Sequence, residues 1–153
     1  MMIKRVMIAT DGSDAGRSAV KAGVDIARRS GGCIIAVYVM DIFRLAHLPG
    51  YTTLPGLKDK IMEMMEDEGR TATEYAGELA AASDIPCKKI LSQGSPAAEI
   101  LRISREEEAD ILVMGSHGRT ALEKVLLGGV AEKVVLQSDV PVLLIKDGKT
   151  SGR

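Results

Sequence analysis

Cysteine and histidine are scarce in this 153-residue chain, at two of each. Cys33 and Cys87 form no Cys-x-x-Cys pair and read as small apolar residues at the starts of strands, not as a redox couple. With only His47 and His117, a structural zinc site of Cys/His type is not expected. No apolar run reaches the roughly 18 residues of a membrane-spanning helix. Met1 to Ala9 is strand-like and too short to hold a signal peptide with its cleavage site. These absences predict no membrane partner and a cytoplasmic protein. A net charge of −1 gives no general positive field, so no nucleic-acid partner is expected either. No repeat or domain linker interrupts the chain, and no Gly-x-Gly-x-x-Gly follows the first strand, which disfavours a dinucleotide site. Gly148-Lys149-Thr150 mimics the end of a P-loop, but Leu143 stands where its first glycine belongs.

What is present is an ordinary globular balance, 46% hydrophobic and 27% charged. The length suits one core, since domains commonly hold about 100–150 residues. One domain over residues 1–146 with a polar tail at 147–153 is expected. Apolar runs alternate with amphipathic stretches from end to end. Ile3 to Ala9 reads as a buried strand. Ser13 can cap a helix to about Ser30, with Ala15, Ala19, Gly23, Ile26 and Ala27 on one face and Gly31-Gly32 as its stop. Cys33 to Met40 is a second strand, Asp41 to Gly56 a loop, and Leu57 to Ala82 a long helix whose methionines fill core. Cys87 to Ser92 is a third strand. Ser95-Pro96 opens a helix to about Glu108, and Ile111 to Met114 makes a fourth strand. Val130 to Gln137 is a last helix and Val140 to Ile145 a fifth strand, with Pro141 marking a sheet edge. This alternation predicts an α/β fold, a parallel sheet with helices on both faces. Ligands in such sheets bind beyond the carboxyl ends of the strands, so binding residues should come from those loops and not from helix faces.

The densest signal is Gly115-Ser116-His117-Gly118, nine residues, then Gly128-Gly129-Val130-Ala131. Gly115 and Gly118 let backbone approach a ligand straight off a buried strand. Leu122, Val125 and Leu126 have helical spacing in the segment between. Gly128-Gly129 opens the last helix, whose unpaired N–H groups and positive dipole end suit an anion. Backbone donors from both glycine pairs can wrap a polyphosphate. A glycine-rich surface loop without a ligand is the alternative.

The pattern Gly-x2-Gly-x9-Gly resembles the nucleotide motif of the universal stress protein family. Ala9-Thr10-Asp11-Gly12-Ser13, Val37-Tyr38-Val39 and Pro141-Val142-Leu143-Leu144-Ile145 extend the likeness along nearly the whole chain. The resemblance implies a doubly wound five-stranded parallel sheet, a Rossmann-like adenine-nucleotide-binding fold, with ATP or another adenine nucleotide as ligand. It implies that the Val39 backbone reads adenine and that Ala9, Thr10 and Asp11 line ribose and phosphates. Met114, Gly115, Gly118, Gly128, Gly129, Val130 and Ala131 match its ribose and phosphate contacts by position. Asp11 can accept from a hydroxyl or help hold a phosphate-bound Mg2+; Asp-Gly-Ser also suits a plain turn. Gly129 and Ala131 stand where ATP-binding members usually carry hydroxyls. His117 and Arg119 lie close enough to compensate, Arg119 being a good phosphate partner; an exposed loop Arg and a turn His are the alternative. Three readings stay open: a nucleotide-binding stress-response regulator, a weak ATPase for which only Asp11 and His117 offer themselves, and a member that binds no nucleotide and acts through unknown protein partners. The family also points to a homodimer through the last strand, where Val140, Val142 and Leu144 lie on an edge open to pairing.

Overall fold

The computed structural model describes residues 2–117 and 127–146. Two runs of aliphatic residues set its framework. In β1 (Arg5–Ala9), Val6 and Ile8 point to one face of the sheet while Met7 and Ala9 point to the other, and both faces are buried. The same alternation in β2 (Cys33–Asp41) sends Ile34 and Ala36 one way and Ile35 and Val37 the other. A strand covered on both sides must lie inside a parallel sheet. With β3 (Cys87–Gly94), β4 (Ile111–Gly115) and β5 (Val142–Ile145), the order is β3-β2-β1-β4-β5, all parallel.

Helices cover both faces. The long helices α1 (Asp14–Ser30) and α3 (Leu57–Ala82) pack Ala19, Val20, Val24, Ala76 and Ala80 onto the first face. On the second, α4 (Pro96–Glu106) and α5 (Gly129–Gln137) bring Ala97, Ile100, Leu101, Ala131 and Val134. A short helix, α2 (Ile42–Leu45), occupies the start of the stretch read as loop, capped by Asp41 accepting from the Arg44 N–H at 3.0 Å. No helix among the described residues is long and apolar enough to cross a membrane.

Local signals set most boundaries. Ser13 caps α1 by accepting from the Gly16 N–H at 3.1 Å, and Gly31 ends it at φ 67°. A left-handed φ of this kind costs glycine little. Long-range contacts move other boundaries away from the sequence reading. The Asp110 carboxylate accepts from the Lys4 and Arg5 N–H groups at 2.9 and 2.8 Å, so β1 begins at Arg5 and not Ile3. Those two bonds hold Asp110 below the usual carboxylate range. Ser95 takes the cap position of α4 but makes no capping hydrogen bond. β5 begins at Val142, after Pro141, whose carbonyl still accepts from Leu112 N–H at 2.9 Å. β5 is an edge strand, as Pro141 suggested, but Val140, Val142 and Leu144 pack inward and Leu143 is the exposed one. Of the α3 methionines, Met62 and Met65 fill core, whereas Met64 is exposed.

In the first turn of α4, Glu99 accepts from Arg102 and from the Ser92 hydroxyl, and these bonds hold its pKa at about 2 against an ordinary 4.5. A depressed folded-state value means the ionised form favours the folded state. The contribution is full above pH 4.5 and disappears as pH falls through about 2. In acid-unfolding series, the stability gap between wild type and Glu99→Gln is therefore expected to be widest near neutrality and to close over that window. A gap independent of pH would contradict it.

Candidate functional site

The sheet order places the switch in winding between β1 and β4. From β1 the chain steps through α1 to β2 and through α3 to β3, keeping to the first face. It then returns through α4 to β4, on the other side of β1, and continues through α5 to β5 on the second face. The loops after β1 and β4 thus leave in opposite directions, and a crevice opens at the carboxyl ends of the two strands.

Ala9 pairs with Met114 across that junction, and with Val37 on the other side. The Thr10 N–H donates to the Val37 carbonyl at 3.0 Å, after which the chain turns away. Backbone N–H and C=O groups two residues apart point to the same edge of a strand. Val39 therefore presents a donor and an acceptor toward the β1 side, beyond the place where β1 has left the ladder. Ala9, Met114, Ala131 and the partly buried Val39 belong to one packed cluster on the α4 and α5 face.

Asp11 shapes the turn after β1. Its Oδ1 accepts from the Ser13 N–H at 2.9 Å and from the Ser13 hydroxyl at 2.5 Å, while Ser13 in turn caps α1. The Thr10 hydroxyl accepts from the Gly12 N–H at 3.2 Å. Gly16 is required under this turn, because a Cβ there would lie 2.7 Å from Thr10 Oγ1 and 3.0 Å from Asp11 Oδ1. At the end of β4, a Cβ on Gly115 would meet that of Ala15 at 2.9 Å. The glycine thus lets the first turn of α1 sit against β4.

Ser116, buried and absent from the expected site, joins the parts together. Its N–H donates to the Ile145 carbonyl at 2.9 Å, and its carbonyl accepts from the Gly128 N–H at 2.8 Å. Its hydroxyl lies 3.1 Å from His117 Nδ1. A serine directly after an apolar strand was the one clue in the sequence to this role. Through the Gly128 bond, the start of α5 is fixed at the end of β4. The first helical bond runs from the Glu132 N–H to the Gly128 carbonyl at 2.9 Å, and Gly128 supplies no side-chain cap. The N–H groups of Gly129, Val130 and Ala131 therefore have no helical partner. Gly129 and Val130 are exposed, and the space around a Gly129 Cβ is open. Gly118 and Arg119 lie outside the described residues, as do the helical spacing of Leu122, Val125 and Leu126 and the tail at 147–153.

The structure thus brings Ala9, Thr10, Asp11, Val39, Met114, Gly115 and the start of α5 to one end of the sheet. Among the described residues no group of three His, Cys, Asp or Glu side chains could hold a metal ion. Two concavities flank the sheet: one of about 280 Å3 between α1 and α3, and a shallow one of about 580 Å3 at the amino ends of the strands. The first borders the crevice, sharing Thr10 and Gly12 with the loop after β1, and the second lies at the opposite end of the sheet.

A five-stranded parallel sheet with this order, a crevice at its switch point and an uncapped helix start beside it define a Rossmann-like α/β domain. The family profile described as the universal stress protein family matches residues 2–146. Universal stress protein MJ0531 of Methanocaldococcus jannaschii is 34% identical over 148 residues, covering 97% of this chain and 85% of that protein. The solved structure of MJ0577, from the same organism, superposes with a TM-score of 0.82 at 27% identity, covering 95% of this chain and 97% of that one. A universal stress protein from Archaeoglobus fulgidus, solved in complex with dAMP, shares the fold at 22% identity and a TM-score of 0.65, covering 95% and 100%. The chain belongs to the universal stress protein family.

Proposed function

We propose that this protein binds ATP or another adenine nucleotide in the crevice between β1 and β4 and serves as a regulatory protein of the stress response. The observation that carries the reading is the start of α5. Three consecutive N–H groups without helical partners are held at the carboxyl end of β4 by the Gly128–Ser116 bond. A helix start of this kind favours a phosphate through its unpaired donors and its dipole. On the opposite side, the Val39 backbone offers one donor and one acceptor, which complement the Watson–Crick edge of adenine. Ala9, Thr10 and Asp11 line the ribose between them, and Met114 and Gly115 run beneath the phosphates; Gly118 and Arg119, outside the described residues, join these contacts by the family motif alone. That a family member of the same fold holds dAMP supports the scale of the ligand.

Mg2+ fits the same arrangement in a limited way. It typically uses one or two carboxylates together with substrate phosphates, and Asp11 is a carboxylate in the loop directly after β1. Asp11 would hold the ion through the phosphates, neutralising their charge; the backbone donors of α5 would orient the chain of phosphates. The working domain is residues 1–146, acting in the cytoplasm.

Nucleotide released by denaturing freshly purified protein should be identified as an adenine nucleotide. Titration with AMP, ADP, ATP and cyclic AMP, with and without Mg2+, should show saturable binding. Absence of binding to all four at millimolar concentration would remove the proposal.

The same reading includes a homodimer joined along β5. Its outer edge is unpaired by any strand of the described residues, and Leu143, Val135 and Leu136 are exposed nearby. An open edge beside apolar side chains is a template for pairing with a second copy. Light scattering at micromolar concentration should give twice the chain mass, and Leu143→Lys should shift it toward the monomer. A monomeric wild type would end the dimer proposal without touching the nucleotide one.

A further inference from the structure

The stripe of α3 that faces the sheet changes character along its length. From Gly69 onward it is built of small residues, Gly69, Ala72, Thr73, Ala76 and Ala80, all buried. A Cβ on Gly69 would lie 2.5 Å from Leu91 Cδ2 and 2.7 Å from Tyr38 Cδ1, so the helix rests directly on β2 and β3 there. Toward the amino end the same stripe continues as Met65 and Met62, at the i, i+3, i+7 spacing that runs up to Gly69. Both are half-buried and pack on a small buried cluster of Tyr38, Met40 and Ala72. Met64 points the other way and is 57% exposed.

Little else holds this half of the helix. No side chain from Leu57 to Glu68 is fully buried. The N-cap, Gly56, supplies no side-chain hydrogen bond. Among the described residues no ion pair involves Leu57 to Glu66. A polar tie to the sheet is reached at Glu68, whose carboxylate accepts from the Tyr38 hydroxyl at 3.2 Å. A helix of about 12 residues is marginal in water on its own. The order of the segment therefore depends on the two methionines and what they touch.

We infer that Met62 and Met65 are a modification site, oxidised to sulfoxides by hydrogen peroxide, and that the change frees the amino-terminal half of α3 from β2. The thioether sulfur attacks one peroxide oxygen. An S–O bond forms and the O–O bond breaks. Sulfur loses two electrons, and the second oxygen takes the proton of the first and leaves as water. The product is polar where the thioether was apolar. The cluster around it offers carbon and sulfur atoms, and its one side-chain hydroxyl, on Tyr38, already donates to Glu68. An oxygen buried there without a donor is relieved by turning into water, which lifts the segment off the sheet up to the close contact at Gly69. The inference goes beyond the nucleotide reading and does not depend on it, because neither methionine belongs to the loop after β1, to β4 or to α5.

Graded hydrogen peroxide on the intact chain, read by peptide mass spectrometry, should oxidise the exposed Met2 and Met64 first, Met62 and Met65 next, and the buried Met7 and Met114 last. Once Met62 and Met65 carry oxygen, hydrogen exchange in residues 57–68 should accelerate about tenfold to a hundredfold, as expected for a buried polar group without a partner. Residues 69–82 should keep their protection. Methionine sulfoxide reductases acting on both epimers should restore slow exchange. The double substitution Met62→Leu with Met65→Leu conserves volume and should keep slow exchange after the same treatment, whereas Met64→Leu should respond as wild type does. The wild-type course and its reversal need no variant. Oxidation of Met62 and Met65 no faster than that of Met7, unchanged exchange once both are oxidised, an undiminished response in the double variant, or a lost response in Met64→Leu would each overturn the assignment.

Discussion

Replacing Gly129 by serine is expected to tighten ATP binding about tenfold to a hundredfold while leaving AMP almost unchanged. A hydrogen bond to a charged phosphate contributes roughly 1.5–3 kcal/mol, which sets that range. The position is favourable for the test, since nothing lies within 4 Å of a Cβ placed there. The new side chain therefore meets no clash that would offset the gain. Residue 129 is also the first of α5, next to the N–H groups proposed to hold phosphate. A contact to a distal phosphate cannot be made by AMP, which has none. It follows that the natural protein, with Gly129 and Ala131, discriminates less between ATP and AMP than a relative carrying hydroxyls at both positions. Titration of wild type and Gly129→Ser with each nucleotide gives the comparison. An equal gain for both ligands, or none for ATP, would place the outer phosphates elsewhere.

What could be read from the sequence was local. Ser13 and Gly31 announce the ends of α1 because each acts on backbone groups within a few residues of itself. The aliphatic runs of β1, β2 and β4 announce burial on both faces, which only an interior parallel strand satisfies. The glycine spacing around Gly115 and Gly128 pointed to the end of β4, and the structure adds the reason for Gly115: α1 passes too close for a side chain. Features set by distant partners were hidden. The start of β1 depends on Asp110, more than a hundred residues away, and β5 starts late because residues before it turn inward on α4 and α5. The cavity between α1 and α3 was missed for the same reason. Arg17 and Tyr75 are unremarkable on their own helices and become a pair only when the sheet sets those helices side by side. The expectation that binding residues come from the loops and not from helix faces follows from the general rule for open α/β sheets.

Asp11 provides the sharpest separation of fold from ligand binding, because the proposed reading gives it a part in both. In the folded chain its Oδ1 accepts from the Ser13 N–H and hydroxyl, which closes the turn beneath α1. Asparagine keeps an oxygen in that place and removes the negative charge; alanine removes both. If Asp11 is only a turn residue, Asp11→Asn should bind nucleotide as wild type does, and Asp11→Ala should lose stability alone. On the proposed reading, a carboxylate that accepts from a ribose hydroxyl or steadies a phosphate-bound ion contributes on the scale of a charged hydrogen bond. Asp11→Asn is then expected to fold with little loss of stability and to bind ATP about tenfold to a hundredfold more weakly. Loss of the Mg2+ effect in the variant would assign Asp11 to the ion. A loss of the same size with and without Mg2+ would assign it to the ribose. Adenine alone should be unaffected, since the Val39 edge is separate from the turn. Measuring thermal unfolding beside the titrations keeps the two roles apart: weakened binding at unchanged stability supports the ligand role, and unchanged binding in Asp11→Asn returns Asp11 to the turn.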